Sequence, residues 1–175
     1  GVQNVARRLP LLNASEFATI GNEARANANR PPMFTPEQVE SFRTNSTDWQ
    51  DAIFRQAPIQ NHQVTVSGGN EGTRFAVSGN YFDQQGVVIN SGFRRASLRV
   101  NVDKTVSKRL NVGTSLQLSR AWNNQLVTDI TRGGVVNAAL VFSPTLPVRD
   151  PQTGQFTFDN SAVPGSQQVG NPVQD

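Results

Sequence analysis

The sequence predicts a mainly β fold, an antiparallel meander of about four long strands with short helices in the connecting loops. Three observations carry that prediction. Apolar and polar residues alternate with period two through four consecutive segments between residues 61 and 122. The last three segments run about 10–13 residues, against about 5–6 for strands of soluble domains. The connections run short, long, short, and then very long after Trp122.

The strands follow in order. Val64 and Val66 alternate with Gln63, Thr65 and Ser67, and Gly68-Gly69-Asn70-Glu71-Gly72 reads as the first turn. Phe75, Val77 and Tyr81 then alternate with Arg74, Ala76, Ser78 and Asn80. A longer link over residues 83–91 leads to Ala96, Leu98, Val100 and Val102 against Arg95, Ser97, Arg99, Asn101 and Asp103. A tight turn over 106–109 precedes Leu110, Val112, Leu116 and Leu118 against Asn111, Gly113, Ser115, Gln117 and Ser119.

The flanks are loops with helical decoration. Asn13-Ala14-Ser15-Glu16 has capping-box spacing and opens a helix that fades by Asn29, before Pro31-Pro32. Thr35-Pro36-Glu37-Gln38 places an N-cap, a proline at the first helical position and a reciprocal cap. Thr47-Asp48-Trp49-Gln50 opens a third short helix through Phe54. Beyond the strands, residues 133–142 predict a short helix. Asp150-Pro151-Gln152-Thr153-Gly154 reads as a turn between extended pieces at 146–149 and 155–158. The Asn/Ser/Pro/Gly-rich stretch to Asp175 has no terminating logic and looks cut off.

Composition narrows the function classes. The 175 residues hold 17 Asn and 15 Gln, roughly one neutral amide in five, with 14 Gly and 10 Pro. Coiled-coil chemistry is absent, and organised Val, Phe, Leu and Ile runs argue against disorder. No run reaches the roughly 18–20 apolar residues of a transmembrane helix. Residues 1–10 lack the apolar segment of a signal peptide. With no Cys and a single His, His62, thiol chemistry is excluded and zinc catalysis nearly so. The net charge of +3 rests on 14 Arg and two Lys without a polybasic run, so no nucleic-acid partner is expected.

Alternation does not say whether the apolar face meets a protein core or lipid. The opposite face says more: it is crowded with Asn, Gln, Ser and Arg and poor in the Lys and Glu of a solvated sheet. Such a face suits a water-containing lumen, and the strand lengths and loop asymmetry suit an outer-membrane barrel with short periplasmic turns. Arg74, Asn80, Arg95, Arg99, Asn101 and Gln117 are then candidate lumen-facing residues, and Tyr81 and Trp122 an aromatic girdle. A soluble β-sandwich, for example a carbohydrate-binding module, satisfies the same alternation and stands as the competing reading. A non-transporting outer-membrane adhesin or structural barrel is a third.

Several motifs in order carry a family resemblance. Thr47-Asp48-Trp49-Gln50-Asp51-Ala52-Ile53-Phe54-Arg55, Ala57-Pro58, Gln60-Asn61-His62, Val66-Ser67-Gly68-Gly69, Arg74-Phe75-Ala76-Val77-Ser78-Gly79, Tyr81-Phe82-Asp83-Gln84-Gln85-Gly86 and Arg95-Ala96-Ser97-Leu98-Arg99-Val100-Asn101 resemble the SusC/RagA family of TonB-dependent outer-membrane transporters. Leu9 to Ala14 with Glu16-Phe17, and Pro144-Thr145-Leu146-Pro147, extend the likeness over nearly the whole chain. The resemblance implies a partial segment of a large transmembrane β-barrel, in a bacterial outer membrane, that imports glycans or peptides. It implies a SusD-like surface lipoprotein as lid and TonB acting through a plug that these residues do not include. Residues 1–5 would end the first barrel strand, 6–60 form an extracellular loop, 61–122 four barrel strands, and 123–175 much of a later loop. Such a piece is expected not to transport anything by itself.

No catalytic, metal or cofactor site is expected. Trp49 and Phe54 are candidates for contacting a ligand or partner from the loop, or for pinning their helix onto the loop's own core. Arg95 and Arg99 would pair with plug carboxylates or line the substrate path. The carboxylate pairs Glu37/Glu40 and Asp48/Asp51 lack the cleft that glycoside chemistry requires and read as helix-start charges.

Overall fold

A computed structural model describes residues 1–126, 134–159 and 170–174. Its elements are β1 (Val2–Gln3), α1 (Ala14–Asn27), α2 (Pro36–Ser41), α3 (Trp49–Ile53), β2 (Ala57–Asn70), β3 (Thr73–Gln85), β4 (Gly92–Ser107), β5 (Leu110–Asn124) and α4 (Val135–Val141). The five strands form one antiparallel sheet in chain order, and β5 has no neighbour on its far side among the described residues. The contacts divide the chain into a strand unit, Gly1–Asn4 with Gln56–Gln125, and a loop unit, Val5–Arg55 with Leu126–Asp175.

In the strand unit the parity is as the alternation predicts, but the strands are longer. β3, β4 and β5 have 13, 16 and 15 residues. Alternation fades at Asp83-Gln84-Gln85, where both faces turn polar. The backbone ladder does not depend on side-chain polarity, so pairing continues to Gln85 opposite Gly92. β2 likewise starts at Ala57, where Ala57 and Pro58 face Gln3 and Val2 of β1. The Gly1 nitrogen donates to the Ile59 carbonyl at 2.9 Å and Ile59 N–H donates to the Gly1 carbonyl at 2.8 Å.

The two tight turns are Glu71-Gly72 and Lys108-Arg109. Asn70 Oδ1 accepts the N–H groups of Gly72 and Thr73, each at 2.9 Å, which closes the first. Just before it Gly69 holds φ +155°, a conformation open essentially to glycine alone. The second turn follows a register shift between Thr105 and Ser107.

In the loop unit all three upstream helices are present where the sequence places them, α1 and α2 at their expected caps. Asn13 and Glu16 form one capping box, Thr35 and Gln38 another, and Asp48 caps α3. The four-residue signal Thr47-Asp48-Trp49-Gln50 therefore resolves with Asp48, not Thr47, at the cap. Thr47 instead donates its N–H to the Pro144 carbonyl and its hydroxyl to the Leu146 carbonyl. α3 and α4 share a small core: Trp49, Ile53, Val135, Ala138, Ala139 and Phe142 are all buried. The 150–154 turn is present. Asp150 donates its N–H to the Gln155 carbonyl at 2.8 Å, with Arg149 and Phe156 bridged beside it. The expected helix start at Gly133, residues 160–169 and Asp175 lie outside the described residues.

Neutral amides satisfy the backbone of these loops. Asn22 Oδ1 accepts from Met33 and Phe34 N–H at 2.8 and 3.0 Å, while its Nδ2 donates to the Phe34 carbonyl. Asn171, 1% exposed, donates to the Val148 and Thr157 carbonyls. Gln50 does the same for Leu9. A loop without secondary-structure partners must bond its N–H and C=O groups somewhere, and an amide offers both partners without a charge to desolvate.

Candidate functional site

Residues paired across antiparallel strands point to the same face, so the register sorts every side chain. One face is built of three apolar rows across β2–β5: Val64, Gly79, Leu98, Leu118; then Val66, Val77, Val100, Leu116; then Gly68, Phe75, Val102, Thr114. Phe75 lies across Gly68, its ring 3.1 Å from where a Cβ would stand. Toward the long connections the next rows are His62, Tyr81, Ala96, Arg120 and then Gln60, Asp83, Arg94, Trp122. Toward the tight turns the apolar rows end at Thr73, Lys104 and Val112.

No second sheet covers these rows among the described residues. Val64 is 68% exposed and Leu118 56%, and Phe75, Leu98 and Leu116 are exposed as well. In water such a contiguous apolar face would drive association. A soluble sandwich buries it under a second sheet, and here the described strands all belong to one sheet. Ala96 to Lys104 is eight residues along β4, about 27 Å at ~3.4 Å per residue and about 20 Å along the normal of a tilted barrel. That nearly matches the ~25 Å apolar band of outer-membrane barrels, with Tyr81 and Trp122 at its loop-side rim.

The other face carries the six lumen candidates. Arg99 Nη2 donates to Gln117 Oε1 at 2.8 Å across the β4–β5 pair, and Ser115 donates to Asn101 Oδ1 at 2.8 Å one row on. Asn80 Nδ2 donates to Asn61 Oδ1 at 2.7 Å. Arg74 stands opposite Asp103 near the turn end. Asn80, Arg95, Arg99 and Gln117 open with Asn61, Gln63, Ser78 and Ser97 on one shallow cleft of about 330 Å³; Arg74 and Asn101 lie outside it. Neither Arg95 nor Arg99 has a carboxylate within salt-bridge distance among the described residues. The cleft therefore presents two guanidinium groups among neutral amides, a setting that attracts carboxylates and hydroxyl-rich ligands.

Two residues of this face escaped the sequence pattern. Phe82 and Phe93 lie on the polar side, tilted against each other at 6.0 Å between ring centroids, with Phe82 in register with Arg95. Their signal was parity: each is an aromatic standing one residue out of phase with the apolar positions of its strand.

The loop candidates sit differently. Trp49 is 2% exposed, packs on Phe142 at 4.5 Å between centroids and donates its indole N–H to the Ser143 carbonyl at 2.9 Å. Its ring is engaged in the loop's core and presents no face for stacking. Phe54 is half-buried at the end of α3, its N–H donating to the Gln50 carbonyl. The carboxylate pairs also have local roles. Asp48 accepts from the Gln50 and Asp51 N–H groups, Asp51 from Arg8 at 2.9 Å, and Glu40 pairs with Arg43 at 3.1 Å. Glu37's own backbone N–H, then the Thr35 hydroxyl, hold its carboxyl below the ordinary range. An apolar cleft of about 450 Å³ lies between residues 9–13, α3 and α4. No described helix is long and apolar enough to cross a membrane, which leaves crossing by strands open.

A one-sheet wall, apolar between its rims on one face and amide-lined on the other, is the architecture of part of a transmembrane β-barrel. Over most of its length the chain is similar in sequence to TonB-dependent receptors, SusC among them. It is 33% identical over 164 residues to TonB-dependent receptor P3 of Formosa agariphila, covering 91% of this chain and 15% of that protein. It is 33% identical over 141 residues to TonB-dependent receptor SusC of Bacteroides thetaiotaomicron, covering 78% of this chain and 13% of that one. The RagAB peptide transporter shares the fold with a TM-score of 0.56 at 22% identity, over 69% of this chain and 16% of that one. The chain thus spans about one seventh of the length of these relatives. No family model matches it.

Proposed function

We propose that these residues are barrel wall and extracellular loop of a TonB-dependent importer in a bacterial outer membrane. The observation that carries this reading is the pairing of an uncovered apolar face with an amide- and arginine-lined reverse face on one sheet. Residues 1–4 and 57–124 supply wall, and 5–56 and 125–175 supply loops. The substrate is a glycan or a peptide, admitted beneath a SusD-like surface lipoprotein and released inward when TonB pulls on a plug encoded outside these residues. Arg95, Arg99, Asn80 and Gln117 line the interior, with Phe82 and Phe93 as a ledge on which a sugar or side chain stacks. Arg74 and Asn101 extend the same lining toward the turn end. Phe54 and the exposed leucines near Leu9 offer the loop surface that a lipoprotein meets. None of these roles is catalytic, and none requires a cofactor.

The absence of cysteine from this stretch makes the test direct. In the full-length protein, freed of cysteines elsewhere, Ser78→Cys and Ser97→Cys should react with a charged thiol reagent in intact outer membranes. Val77→Cys and Val100→Cys should not. Uptake of labelled oligosaccharide or peptide should stop when TonB is deleted. Equal labelling of both sets, or uptake that persists without TonB, would sink the proposal.

A further inference from the structure

We infer that Arg94 and Arg120, on the lipid side of the sheet, form a binding site for the phosphate of an outer-leaflet lipid. The inference rests on the barrel reading above and goes beyond it, because it concerns the outer wall rather than the transport path.

Both residues break the apolar parity. Arg120 occupies the row of His62, Tyr81 and Ala96, and Arg94 the next row outward beside Trp122. A guanidinium facing hydrocarbon is strongly disfavoured at mid-membrane and tolerated only at the interface, so these two residues mark where headgroups begin. That rim lies at the end bearing the long connections, which is the extracellular side of such barrels.

The geometry at the rim is that of a two-pronged anion site. Arg94 and Arg120 are diagonal neighbours on adjacent strands, about 7–8 Å apart at their backbones, a span that a single phosphate bridges with two side chains. The Arg120 guanidinium is drawn over the Trp122 ring, 5.0 Å from its centroid, and so leans toward Arg94. Arg94 pairs through its Nε with Asp83 Oδ1 at 3.6 Å, so its two terminal nitrogens are not taken up by that contact. Arg120 has no carboxylate partner among the described residues. One carboxylate against two guanidinium groups leaves the rim net positive, and paired guanidinium forks suit phosphate oxygens better than single ammonium charges do. The opposite rim, with Lys104 alone on its row, lacks that pairing.

The test uses the full-length protein purified from outer membranes into nanodiscs, with phosphorylated lipid A and the same lipid after phosphatase treatment as probes. Native mass spectrometry should show the phosphorylated lipid retained at least fivefold more strongly. The double substitution Arg94→Gln/Arg120→Gln should abolish that preference, Arg94→Lys/Arg120→Lys should keep only part of it, and Lys104→Gln should leave it intact. Equal retention of the two lipids by the wild type, or a preference that survives the double Gln substitution, overturns the inference alone. Recovery of the wild type as a soluble protein overturns the barrel reading together with it.

Discussion

The side-chain amide of Gln50 holds the backbone of Leu9 at both ends: Nε2 donates to the Leu9 carbonyl at 2.8 Å and Oε1 accepts the Leu9 N–H at 3.0 Å. Gln50 is 5% exposed, so its own amide has little access to water. Gln50→Leu would orphan a donor and an acceptor, and a loss of about 1–3 kcal/mol of local stability is expected. Gln50→Glu should cost more, because it removes the donor and places a charge in the same site. Hydrogen exchange at the Leu9 amide checks this, and protection equal to wild type in both variants would refute it.

Placing charge on the outer face should have a depth-dependent effect. Leu116→Arg, in the middle apolar row, should destabilise the folded full-length barrel by about 2–4 kcal/mol, and Trp122→Arg at the rim by no more than about 1 kcal/mol from charge alone. Urea titration of the protein in lipid vesicles measures both. Equal costs at the two depths would mean that this face does not meet a bilayer.

The first hairpin depends on two glycines unequally. A Cβ on Gly69 would stand 2.3 Å from the Thr73 carbonyl oxygen and 2.8 Å from Arg74 Cα, both backbone atoms, at a φ of +155°. On Gly68 it would meet only the Phe75 ring at 3.1 Å, and a ring can tilt. Gly69→Ala should therefore cost about 1–3 kcal/mol and Gly68→Ala distinctly less. The temperature at which the full-length protein loses its compact gel mobility reports the order, and the reverse order would contradict this account of the turn.

The 150–154 turn should respond to acid. The N–H groups of Thr153 and then Gln152 hold the Asp150 carboxyl below its ordinary range. A folded-state value below the unfolded one means the carboxylate stabilises the turn above about pH 4 and ceases to do so as pH falls through the lowered value. The Gln152 and Thr153 amides should exchange faster below that range. In Asp150→Asn, which keeps the acceptor but not the charge, the pH dependence should vanish, and its persistence would assign it to another group.

What could be read in advance followed from local chemistry. The parity of β2–β5 is written in alternate residues, and the caps Asn13 and Thr35 identify their helices because a cap acts within one turn. Pairing of Val2 with Pro58, or of Trp49 with Ser143, joins residues 56 and 94 positions apart, and no short period encodes such distances. For that reason α3 looked like decoration when it is half of a core completed by α4. The lumen candidates were visible as a polar parity. Their grouping was not: only register shows that Asn80 and Arg99 share a cleft while Arg74 and Asn101 stand outside it.

The far edge of β5, without a partner among the described residues, has a consequence for how such a wall is made. Fifteen residues present every second N–H and C=O outward, and hydrocarbon offers nothing to bond them. Strand order equals chain order, so each strand pairs only with its neighbours in sequence, antiparallel and with its greasy side in register. On the barrel reading, the wall is thus less a module than an open front, which needs a further strand along β5.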